Sequence, residues 1–139
     1  MMDALAVQEA VLDRLWSDDP LAAWVTGIYD SAPEDARLPY ITLGQTSAFD
    51  WSTKTEAGAR HRLDLMVFTG HRGQAEAKAI AGHLAHLLGP SAPAGPLIVN
   101  GQAAVTTRIL AFDSRVEPVE RLAQTLVRVE VVIAAPPSA

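Results

Sequence analysis

The sequence predicts an α+β domain: four or five mostly antiparallel strands with two main helices packed on one face. Three observations carry that expectation. Segments of helical and strand periodicity follow one another in the order helix, strands, helix, strands. The 139 residues, 49% hydrophobic and 19% charged, suit a single globular core. No internal repeat divides the chain. The domain is expected to span residues 1–135, with 136–139 a flexible C-terminal tail.

Asp3 to Trp16 reads as the first helix. At 100° per residue, Ala4, Leu5, Val7, Val11, Leu12, Leu15 and Trp16 share one half of the wheel, while Asp3, Glu9, Asp13 and Arg14 lie elsewhere. Asp3 suits the N-cap. Asp18, Asp19 and Pro20 break the helix, and Pro20 fits the first position of a short second turn through Val25, ended by Gly27. Trp16 and Trp24 are expected in the core. Ile28 to Pro39, with Pro33, Glu34, Asp35 and Arg37, reads as an exposed connection.

Tyr40 to Ala48 is a strand by its β-branched and aromatic content, and Phe49 to Gly58 (FDWSTKTEAG) a polar loop. Ala59 to Thr69 is the clearest strand of the first half: Leu63, Leu65 and Val67 point one way, and Arg60, Arg62 and Asp64 the other. Gly70 and Gly73 bracket a turn. Gln74 to Leu88 is the second helix, with Ala77, Ile80, Ala81, Leu84 and Leu88 on one stripe and Glu76, Lys78, His83 and His86 off it. Gly89 and Pro90 end it.

Gly89 to Pro96 (GPSAPAGP) is a linker too short to divide domains. Leu97 to Val99 adds a short strand before Asn100-Gly101, a strong tight-turn signal. Ala103 to Val116 and Leu122 to Ala134 are the last strands. In the final one Val127, Val129, Val131 and Ile133 face the core, and Gln124, Arg128 and Glu130 face away.

Charge and composition exclude several classes of function. The formal net charge is −5 and the eleven basic residues are scattered, apart from Arg60, His61 and Arg62. Binding to the outside of a duplex draws on clustered Lys and Arg, so that role is disfavoured. The chain has no cysteine, which removes disulfides, thiolate metal sites and cysteine nucleophiles. Met1 to Trp16 carries three acids and no basic stretch before an apolar one, unlike a signal peptide. No apolar run approaches the ~20 residues that span a bilayer, so a soluble chain with no membrane partner is expected.

Catalytic and metal chemistry finds little support. His83 and His86 lie three apart on a helix, but no HExxH or carboxylate-rich partner motif supplies further ligands. Ser47 and Ser52 flank a loop with Asp50, Lys54 and Glu56, from which a small hydrolase or ligand-binding site can be assembled, though any polar hairpin offers as much. Asp18/Asp19 and Glu34/Asp35 read as solvated loop carboxylates near their ordinary pKa. There is no P-loop, GxGxxG or GxSxG context. Trp51 stands out, an aromatic in a polar loop two residues after Phe49. It suits either a protein contact or a ring folded over its own sheet edge.

The segments LPYITLG (Leu38 to Gly44), FDWSTKTEAGARHRLDLMVFT (Phe49 to Thr69), GQAEAKAIAGHL (Gly73 to Leu84) and RILAFDSRVEP (Arg108 to Pro118) together resemble the tail-completion family. That family occurs in tailed phages with non-contractile tails and in alphaproteobacterial gene transfer agents. DWSTKT (Asp50 to Thr55), just before a strand that starts with basic residues, is the most specific element. The Ala-rich composition looks like that of a high-GC host and points toward a gene transfer agent or related prophage.

The resemblance implies a tail terminator: a homohexameric ring capping the head-proximal end of the tail tube, stopping its polymerisation and meeting the head-side connector. It implies no catalysis, no cofactor, no metal, and DNA only as cargo passing through the lumen. The bacterial cytoplasm during assembly, and then the particle, would be its location. Phe49, Trp51 and Lys54 are the candidates for docking the tail-tube protein, Arg60 and Arg62 for pairing with acids on a neighbouring subunit, and Asp50 for contact with the tail tube or a neighbouring subunit. A head-completion or stopper protein is the nearest alternative.

Overall fold

The computed structural model describes residues 3–70 and 74–134. Asp3 caps helix α1 (Ala4–Trp16), its carboxylate accepting from the Ala6 N–H at 3.2 Å. Asp18 does the same for α2 (Asp19–Trp24) by accepting from the Leu21 N–H at 3.0 Å. The 28–39 segment is not wholly a connection, because Ile28–Tyr29 forms a short strand β1. Strands β2 (Tyr40–Asp50) and β3 (Gly58–Gly70) form a hairpin; β2 runs through Phe49 and Asp50, two residues placed in the loop by their polar neighbourhood. Helix α3 spans Ala75–Leu88. The small hairpin β4 (Ile98–Val99) and β5 (Gln102–Ala103) precedes the long strands β6 (Thr106–Glu117) and β7 (Leu122–Ala134).

Five strands make one sheet in the order β1-β2-β3-β7-β6, antiparallel except for β1 against β2. β3 and β7 pair without interruption along their whole length. Bulges interrupt β2 between Leu43 and Thr46 and β6 between Ile109 and Ala111, the strands flanking the central pair. Asn100 and Gly101 turn the small hairpin with φ of 52° and 77°, the left-handed pair that a two-residue loop requires.

The helices lie on one face. Val7, Val11 and Leu15 of α1 and Ala77, Ile80, Ala81, Leu84 and Leu88 of α3 are buried against Leu63, Leu65, Val67, Val127, Val129 and Val131. Arg14 ties the layer together. Its guanidinium donates to the carbonyls of Leu87, Gly95 and Pro96 at 3.3, 2.8 and 3.1 Å, closing the end of α3 and the Pro/Gly linker against α1.

The expectation for two tryptophans fails. Trp16 is 50% exposed and Trp24 37%. The apolar arc of α1 is narrower than its wheel suggested: Val7, Val11 and Leu15 are buried, while Leu5 and Trp16 are exposed. Trp24 spends its indole N–H on the Glu76 carboxylate at 3.4 Å. The turn expected between Gly70 and Gly73, and the tail at 136–139, lie outside the described residues.

Candidate functional site

The six residues singled out in the sequence divide between two places. Phe49 and Asp50 end β2, Trp51 starts the loop, and Lys54 lies on its exposed tip. Trp51 is half-buried. Its backbone N–H donates to the Gly58 carbonyl at 3.0 Å, and its ring packs so closely on Gly58 that a Cβ there would meet it at 2.7 Å. The ring therefore folds back over the hairpin and Gly58 must stay bare. The tip holds its own shape: Ser52 donates to Asp50 at 2.7 Å, and Thr53 Oγ1 accepts from the Glu56 N–H at 3.0 Å. Ser52 to Ala57 is exposed, and of the polar groups from which a hydrolytic site could be assembled Ser52 and Asp50 are spent on each other.

Arg60 and Arg62 lie on the sheet face that carries no helix, while His61 between them is buried on the helix side. The local basic group of the sequence is thus split by the strand period. Residues opposite Arg62 and Asp64 on β7 are Glu130 and Arg128, and β6 brings Arg108 opposite Glu130 from the other side. Each carboxylate meets guanidinium across the ladder.

Glu130 is the centre of this network. Its side chain is 3% exposed. Oε1 accepts from Arg108 Nε and lies against its Nη2, both at 3.0 Å. Oε2 has Arg60 Nε and Arg62 Nε, each at 3.5 Å. Beside it Arg128 grips Asp64 with two bonds of 2.8 and 3.1 Å. That contact holds the Arg128 guanidinium above its ordinary pKa. Arg62 also lies over the Phe49 ring, 5.2 Å from its centroid, joining the two predicted clusters.

Sequence inspection missed Asp64, Arg108, Arg128 and Glu130 as a unit. The signal was present: R-x-R-x-D on β3 and R-x-E on β7 become complementary once the strands are paired antiparallel in this register. A second missed contact joins the helices, where His83 Nε2 sits 2.6 Å from Asp18 Oδ2. The hydrogen bond from His83, with that from the Leu21 N–H, holds the Asp18 carboxyl below its usual 3.8, against a smaller opposing effect of burial. Asp18 is therefore not the free loop carboxylate expected. It borders a groove of about 580 Å³ between α1, α3 and the linker, lined by Arg14, His83, His86 and Leu97 among others. Among the described residues no group of three or more His, Asp or Glu side chains is placed to hold a metal ion. No described helix is long and apolar enough to cross a membrane.

The family model described as Tail completion protein gp17 matches residues 9–134. The chain is similar to Tail completion protein gp17 of Bacillus phage SPP1, 30% identical over 83 residues; the match covers 60% of this chain and 61% of that protein, short of two thirds of its length. A chain in the virion of a native gene transfer agent particle superposes with a TM-score of 0.82 at 29% identity, over 96% of this chain and 98% of the other. The structure of bacteriophage SPP1 gp17 shares the fold, with a TM-score of 0.65 at 22% identity over 99% and 96% of the two chains.

Proposed function

The chain belongs to the tail completion protein gp17 family, and from that premise we propose that it is a tail terminator acting by contact and without catalysis. Six copies close into a ring at the head-proximal end of the tail tube. The ring stops tube polymerisation and joins the tail to the head-side connector of a phage or gene transfer agent particle. Assembly takes place in the bacterial cytoplasm, the particle is the final location, and DNA is only passing cargo.

The observation that carries this reading is the near full-length likeness to a chain of a gene transfer agent virion. The family match favours tail completion over a head-side stopper. Physical features of the monomer agree. A cyclic ring is built from head-to-tail contacts, so each subunit needs two different complementary surfaces. The free sheet face offers one. Exposed Phe112, Val116 and Val119 along β6 and its turn offer another.

Phe49, Asp50, Trp51 and Lys54 at the hairpin end are the residues proposed to meet the tail-tube protein. Trp51, packed on Gly58, sets the direction in which the tip projects. Particles made without this chain are expected to show overlong or headless tails by electron microscopy, and normal particles would refute the assignment. Trp51→Ala is expected to leave the ring intact and to lower the yield of joined particles; normal yield would remove the hairpin from the docking surface.

A further inference from the structure

The cluster around Glu130 contains more donors than it can use. Three guanidiniums converge on one carboxylate, and the adjacent Asp64–Arg128 pair is already balanced. Oε1 is well served by Arg108. Arg60 and Arg62 share Oε2 at 3.5 Å, longer than the 2.7–2.9 Å typical of a charge-assisted bond. Arg60 Nε is buried without a hydrogen-bond partner among the described residues. The side chains of Arg60, Arg62 and Arg108 nevertheless remain 37%, 42% and 54% exposed. Each guanidinium carries five N–H donors. The site is thus a fixed, partly open array of donors with an uncompensated positive charge, on a sheet face that no helix covers.

We infer that this array is the receptor for a carboxylate-bearing segment of a second copy of the chain, forming one half of the contact between neighbouring subunits. The inference rests on the ring reading and adds its chemistry. Charge complementarity selects the occupant. The network holds two more arginines than carboxylates while the chain as a whole is −5, so the remaining surface is more acidic than the total. Exposed acids such as Glu34, Asp35, Glu56 and Glu120 lie on loops, the places from which one subunit can reach the next. A DNA phosphate has the same chemistry. A chain this acidic repels a duplex as it approaches, so the neighbour's carboxylate is favoured.

The test compares the full chain with Arg60→Gln/Arg62→Gln, which keeps polar side chains on the face and leaves Glu130 to Arg108. Self-association, read by native mass spectrometry and sedimentation, is expected to weaken about tenfold or more, with the circular dichroism spectrum unchanged. Raising salt from about 0.05 to about 0.5 M should dissociate the wild-type ring more than the variant. Glu130→Gln removes the in-chain competitor for the same donors and is expected to associate at least as tightly as wild type.

Arg62→Lys supplies an amine at this site for carbodiimide coupling. In a mixture of isotopically labelled and unlabelled chains, coupling between the two is expected, and the linked peptide identifies the acidic segment. Coupling confined to single chains would overturn the inference. So would equal association of wild type and the double variant, or a labelled DNA duplex that binds wild type and is released by the double variant while the ring persists. A wild-type chain that is monomeric at every concentration would overturn the ring reading as well, whereas a ring indifferent to these arginines overturns this inference alone.

Discussion

On the helix side of the sheet, Leu65, Val67, Val127 and Val129 are sealed under α1 and α3, whereas the same two strands present Arg62, Asp64, Arg128 and Glu130 on the other side with no helix above them. The difference in energy is large. Fully burying one aliphatic side chain is worth about 1.5–3 kcal/mol. The carboxylates of Asp64 and Glu130 are buried but their arginines are 37–54% exposed, so water screens these pairs toward the ~1 kcal/mol of a surface ion pair, and a third guanidinium on one carboxylate adds repulsion. The apolar face therefore holds the fold. The charged face contributes little to it for the number of residues it uses, as the proposed contact with a second copy requires.

The largest effect expected from this comparison is on the apolar side. Leu65→Ala, at a fully buried position, should cost about 3 kcal/mol in urea unfolding; a loss below about 1 kcal/mol would mean that the helix layer does not carry the fold. Next comes Glu130→Ala, which leaves three guanidiniums facing one another. Because they reach water, the cost should be only about 1–2 kcal/mol, again by urea unfolding. A cost as large as that of Leu65→Ala would make the charged face a structural core and erase the contrast.

The smallest effect sharpens the comparison with a polar contact on the helix side. Asp18→Ala should cost about 1 kcal/mol by loss of the α2 cap. The Asp18 carboxyl titrates lower in the fold than its ordinary 3.8, so its stabilisation is present above that pH and is lost as pH falls through the lower, folded value. Wild type and Asp18→Ala should therefore converge in thermal stability in strong acid, and His83→Gln should remove much of the pH-dependent part. A gap between wild type and Asp18→Ala that stays constant from neutral to strongly acid pH would exclude this role for the carboxylate.

Much of the helix side was legible in the sequence. The stripe of α3, the caps at Asp3 and Gly89, the limits of β7 and the Asn100-Gly101 turn all follow from local period and backbone preference, which a single segment carries by itself. The errors come where neighbours decide. Trp16 and Trp24 sit on apolar arcs, yet they stay 50% and 37% exposed. β1 is only two residues long and exists because β2 lies alongside it.

The candidate surface was legible by half. Arg60 and Arg62 declared themselves by alternation, but their partner Glu130 lies 68 residues from Arg62 in the chain and becomes visible only once β3 and β7 are in register. Polar character placed Phe49 and Asp50 in a loop; pairing with Arg60 and Ala59 makes them strand. Arg108 does not stand out in the sequence at all, because its position opposite Glu130 becomes visible only with the β6–β7 pairing.

The solution mass of the purified 14.8 kDa chain, followed by native mass spectrometry across a wide range of concentration, tests the central claim most directly. A closed assembly of six copies, with no ladder of larger open oligomers, is the result expected of a collar whose two complementary surfaces meet around a ring. A single-chain mass at every concentration, or filaments that grow without limit, would contradict it.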